Sequence, residues 1–105
     1  MSIEVELRTA LESGVKNGDN HVEVSDDGVT VEIDDLQESI EHGEPLPVRL
    51  WIPQSEDLDD VQAGVDAAFY YAFNYSHENY GNRARYERTE TIKENDVFDG
   101  FVWLP

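Results

Sequence analysis

Residues 68–88 read AFYYAFNYSHENYGNRARYER, and they gather the side chains of this chain best able to do chemistry. All five tyrosines fall here, with three of the arginines, while only Glu78 and Glu87 are acidic. Guanidinium groups take up phosphate or carboxylate through paired N–H donors, and tyrosine rings stack on bases or on other rings. Strand alternation over 82–88 puts Arg83, Arg85 and Glu87 on one face and Ala84, Tyr86 and Arg88 on the other. A nucleic-acid or nucleotide contact would therefore use Tyr80, Arg83, Arg85, Tyr86 and Arg88. The competing use of these arginines is to tie down the chain's own carboxylates, since forks of this kind are common within folds.

Catalytic and metal chemistry finds little support. His21, His42 and His77 are scattered, and no pair has helical ligand spacing. The carboxylate pairs Asp26-Asp27, Asp34-Asp35 and Asp59-Asp60 are adjacent, and neighbours on a strand point apart. No phosphate-binding glycine loop, nucleophile elbow or calcium loop is present. The absence of Cys removes disulfides, thiolate metal sites and a Cys nucleophile. The expectation is a non-enzyme without cofactor or metal, His77 being the group a catalytic hypothesis would test first.

The rest of the chain is saturated with acid. Twenty-four Asp and Glu against seven Lys and Arg give a formal charge of −17. The acids recur from Glu4 to Asp99, and Lys occurs only at positions 16 and 93. Such a chain repels itself in dilute buffer. In molar salt the screening length falls to about 3 Å and most of that repulsion vanishes. This composition resembles that of cytoplasmic proteins from salt-accumulating haloarchaea. An acidic mimic of DNA fits less well, because the acids are spread over every segment. No basic stretch followed by an apolar run opens the chain and no run spans a bilayer, so a cytoplasmic, non-membrane protein is expected. A length of 105 residues with 39% hydrophobic content suits one domain over residues 1–105 with one core.

The elements that must position the aromatic stretch follow from periodicity. Ile3, Leu7, Ala10 and Leu11 share one face of a helix that Ser2 can cap and Asn17-Gly18 can stop, although IEVEL also alternates as a strand would. Glu4–Arg8 and Glu12–Lys16 are i,i+4 pairs in the favourable order. His21–Ile33 predicts a hairpin turning at Ser25-Asp26-Asp27-Gly28. Asp35 is expected to cap a short helix, with Glu38 completing a capping box and Gly43 ending it. Leu46, Val48, Leu50 and Ile52 alternate on a third strand, which Pro47 and Pro53 suggest is at an edge. Ser55 or Asp57 opens a main helix reaching about Ser76. Residues 83–93 and 97–104 are two further strands, turning at Glu94-Asn95-Asp96 or at Asp99-Gly100. The order α-β-β-α-β-α-β-β predicts an α+β fold, a small mostly antiparallel sheet packed by the main helix and the N-terminal helix.

With the 35–42 helix taken as an insertion, residues 3–76 run helix, three strands, helix. That order resembles the double-stranded-RNA-binding domains. It departs from the family where basic residues should open the last helix, since EDLDD stands there.

On the main helix, Leu58, Val61, Val65, Ala68, Phe69 and Ala72 form the core stripe, with Tyr71 and Tyr75 flanking it. Small Gly64 and Ala68 would let a strand approach. Tyr70, Phe73 and His77 are assigned to the opposite side, beside Asp66. They are either packed under another element or exposed for a partner. The partner-binding set is Tyr70, Phe73, His77, Arg83, Arg85 and Tyr86. The function expected is a protein–protein contact, with another protein or a second copy, and nucleic-acid binding is the alternative. If the composition is an adaptation to salt, the melting temperature should climb steadily as KCl is raised into the molar range; a flat response would contradict it.

Overall fold

The structure, a computed structural model, describes residues 3–73 and 86–104. Its elements are α1 (Ile3–Asn17), β1 (Val22–Asp26), β2 (Val29–Ile33), α2 (Leu36–His42), β3 (Leu46–Pro53), α3 (Leu58–Phe73), β4 (Glu87–Ile92) and β5 (Asn95–Val102). The five strands form one antiparallel sheet in the order β1-β2-β3-β5-β4. This is the α+β architecture that the periodicities predict, and helix rather than strand is the state of Ile3–Leu7. The order helix, three strands, helix is present, with α2 between the second and third strands and the β4–β5 hairpin widening the sheet.

Local chemistry sets most boundaries. Asp27 and Gly28 both have positive φ, 50° and 82°, as a two-residue hairpin turn matching the strand twist requires. Asp57 Oδ1 accepts from the Asp59 N–H at 3.0 Å and so caps α3. Asp35 does not cap α2: its φ is 58° and its side chain makes no capping bond. The helix start is held instead from the α1–β1 loop, where Asn20 Oδ1 accepts from the Gln37 N–H at 2.9 Å and the Asn20 carbonyl from Leu36 at 3.1 Å. Arg8 pairs forward with Glu12 at 3.1 Å. The last hairpin turns at Lys93-Glu94, which overlaps the first of the two expected positions at Glu94 and starts one residue earlier, with Lys93 at φ 57°. Asp99 and Gly100 lie within β5, where Gly100 stands opposite Val48.

Strand β3 is central, not an edge. The prolines are tolerated because they stand near its ends. The Pro47 carbonyl accepts from Asp34 just past the final β2–β3 register pair, Ile33↔Val48, so the missing N–H falls where that ladder has stopped. Along β3 burial alternates strictly, Leu46, Val48, Leu50 and Ile52 inward. They join Val31 and Ile33 of β2, Leu7 and Leu11 of α1, Leu36 of α2, and Val61, Val65 and Phe69 of α3 in a single core. All three helices therefore cover the same face of the sheet.

The close approach at Gly64 is made by a helix, not a strand. A Cβ there would lie 3.2 Å from Ile3 Cγ2 and 3.8 Å from the Glu4 backbone nitrogen. Gly64→Ala should leave stability within about 1 kcal/mol of wild type, because the gain in helix propensity offsets a small shift of Ile3. Gly64→Leu should cost about 1–3 kcal/mol by prising α1 from α3. Chemical denaturation of the two variants distinguishes this crossing from a loose contact, in which both would be tolerated.

Candidate interaction face

The alternation that sends apolar side chains into the core sends a second set to the other face of the sheet, which no described helix covers. The register arranges that set in rows. One runs across all five strands: Glu23 opposite Glu32, Glu32 opposite Arg49, Arg49 opposite Asp99, and Asp99 opposite Glu87. On one side of it lies the row Ser25, Thr30, Trp51, Val97 and Glu90. On the other lie His21, Asp34, Pro47 and Phe101.

The charged row holds four carboxylates and one guanidinium. Arg49 grips Asp99 with two bonds, Nε–Oδ1 at 2.7 Å and Nη2–Oδ2 at 3.0 Å. This fork holds the Asp99 carboxyl below its ordinary range, against an opposing push from partial burial, and the same bond raises Arg49 further. Glu23 facing Glu32, and Asp99 facing Glu87, are like-charge pairs of the kind that destabilise a sheet. At the end of the neighbouring row, Asp34 Oδ1 meets His21 Nδ1 at 2.7 Å. That bond raises the imidazole pKa, and Glu23 and Glu32 add to it.

Apolar surface borders the charges. Phe101 is 57% exposed and Trp103, two residues on, 58%. A groove of about 390 Å³ runs between Phe101, Pro47 and the Arg49–Asp99 fork on one hand and Glu32 and Asp34 on the other. Val97, on this same face, is fully buried, with Trp51 and Glu90 as its register neighbours.

The residues singled out in the sequence are dispersed. Phe73 belongs to the core side: its ring stacks on Phe69, one turn earlier, at 6.1 Å and 16°, and packs against the core cluster. Spacing of i,i+4 places the two rings in line, so Phe73 sits at the edge of the core stripe and not opposite it. Tyr70 is half-buried and meets Tyr71 edge-on at 5.1 Å. Tyr71 is half exposed under the Arg8 guanidinium. Tyr86 turns toward the core, its hydroxyl buried without a hydrogen-bond partner among the described residues. Burial, then the nearby Asp66 carboxylate, push its pKa far up. Asp66 itself is buried. Arg88 lies opposite Phe98, on the helix side of the sheet, 3.8 Å from Asp96. His77, Tyr80, Arg83 and Arg85 lie outside the described residues. All three described arginines thus stand beside carboxylates.

Among the described residues no group of three His, Asp or Glu side chains is placed to hold a metal. No helix among them is long and apolar enough to cross a membrane. Comparison with protein-family models, with curated proteins and with solved structures finds no match.

The charge row makes a specific claim about salt. Glu23→Gln, which removes a carboxylate opposed only by Glu32, should raise stability by a few tenths of a kcal/mol in dilute buffer. Arg49→Met should lower it by about 1 kcal/mol, a figure kept small by the partial exposure of the fork. The Glu23 effect should fade in molar KCl. The Asp99 contribution is complete above the ordinary carboxylate pKa of about 4 and is lost as pH falls through its lowered value. Arg49→Met should therefore matter least in strong acid, and urea titrations at three pH values check this.

Proposed function

We propose that this chain is a small, salt-adapted, non-catalytic module of the cytoplasm that works through a protein–protein contact, made by the face of its sheet that no described helix covers. One observation supports this above others. The described helices all pack on one face, while the other carries a groove edged by Phe101, which is more than half exposed to solvent, as is Trp103 two residues on. Exposed aromatic rings beside polar groups are the composition of contact surfaces, in which Trp, Tyr and Phe are enriched and a few such anchors carry much of the binding energy. The contact moves accordingly from the Tyr70–Phe73–His77 stripe to Phe101, Trp103 and the rows beside them, because Phe73 is engaged with the core.

Nucleic acid is the weaker partner. The face repeats the sign of a phosphate backbone, and molar salt suppresses the counterion release that drives such binding. Of the segment that would serve it, Tyr86 is turned inward and Arg88 stands beside Asp96.

Affinity capture from extracts of the producing cell, in about 2–3 M KCl, tests the assignment. A protein retained by the wild type should be lost by Phe101→Ser and kept by Tyr71→Ser on the helix side. Equal retention by both variants would contradict it, as would a gain in mass by light scattering only on adding RNA or DNA.

A further inference from the structure

Resting on that assignment of the uncovered face, we infer that its occupant is an arginine-bearing segment of another protein, lying across the strands along the Glu23–Glu87 row. Charge complementarity selects the class. Arg49, which stands between Glu32 and Asp99 in register, gives both bonds of its fork to Asp99, so that three carboxylates of the row make no ion pair among the described residues: Glu23, Glu32 and Glu87. A second copy of this chain would bring the same three against them, and a nucleic acid or an anionic membrane would add negative charge. A cationic segment converts the two like-charge pairs of the row into ion pairs.

Geometry narrows the class to arginine in an extended chain. Adjacent strands are about 4.8 Å apart, so the Glu23–Glu32 pair lies about 14 Å from the Asp99–Glu87 pair. Two residues four apart in an extended segment are separated by nearly the same distance and point to the same side. Phe101 and Pro47, beside the row, offer a flat apolar platform. A planar guanidinium stacks on such a platform while forking to a carboxylate, and stacking survives screening by salt better than a bare charge does. Lysine supplies the charge but neither the plane nor the fork.

The probe is the peptide acetyl-Thr-Arg-Thr-Val-Thr-Arg-Thr-amide, compared with the same peptide carrying Lys in place of both Arg. Each is titrated into isotope-labelled full-length protein, in molar KCl, and followed by amide and side-chain NMR shifts. The expected result is a set of shifts centred on Glu32, Arg49, Asp99 and Phe101, with about tenfold weaker binding for the Lys peptide. The double variant Glu32→Gln/Glu87→Gln, whose folding its own spectrum verifies, should lose binding by a similar factor. Shifts scattered over the acidic helix surfaces, equal affinity for both peptides, or undiminished binding by the double variant would overturn the inference. Those results leave the interaction face standing, since it is judged separately by whether Phe101→Ser loses the cellular partner.

Discussion

Leu46, Val48, Leu50 and Ile52 leave β3 on one side, and Pro47, Arg49, Trp51 and Pro53 leave it on the other. That period-two separation governs the rest of the molecule. The apolar side of β3 is where α1, α2 and α3 converge, through Leu7, Leu36 and Phe69. The polar side continues, through pairing with β2 and β5, into rows of Glu, Arg and Asp that no described helix covers. A one-residue slip of β3 would drive Arg49 into the core and Leu50 into water, so the register is fixed by burial on one face alone. The interaction face is thus a consequence of the core, held rigid from behind.

Electrostatics on that face are unusually lopsided for a sheet. Cross-strand neighbours ordinarily alternate in sign or are neutral. Here, among the described residues, a single Arg49 serves a line of four carboxylates and commits both bonds of its fork to Asp99. Helix surfaces of this chain can shed their repulsion into solvent, because their acids point radially outward. Side chains of one sheet face stand parallel and about 5 Å apart, and they cannot diverge. Salt relieves part of this, and a cationic partner would relieve more, which joins the composition of the whole chain to the behaviour of one surface.

Much of the fold was legible in the sequence because it rests on local chemistry. Asp27-Gly28, Asp57, Gly43 and the strict alternation of β3 each act through their immediate neighbours. What escaped was non-local. Asp35 carries a capping residue's identity, yet Asn20, from a distant loop, does the capping. The prolines of β3 suggested an edge, and only the point at which β2 ends explains why they are tolerated in a central strand. The face itself was half visible. Alternation already separated Arg49 and Trp51 from the core, but Glu23, Glu32, Asp99 and Glu87 become one row only once β5 is inserted between β3 and β4. Phe73 was assigned to the wrong side for a simpler reason: its ring belongs with Phe69 one turn before it. Aromatic density drew attention to residues 68–88, whereas Phe101 and Trp103, two isolated rings outside it, are the most exposed large apolar side chains among the described residues.

Surface relaxation by a soluble gadolinium chelate, measured by NMR on the free protein in molar KCl, addresses the central claim most directly. If one sheet face is open, the ring protons of Phe101 and the amide and side-chain signals of Glu32 and Arg49 will be strongly relaxed. Leu7, Leu50 and Phe69, behind the helices, will be spared. Protection of Phe101 and Arg49 to the level of Leu50 would mean that the face is covered within the protein itself, and the interaction surface would have to be sought elsewhere.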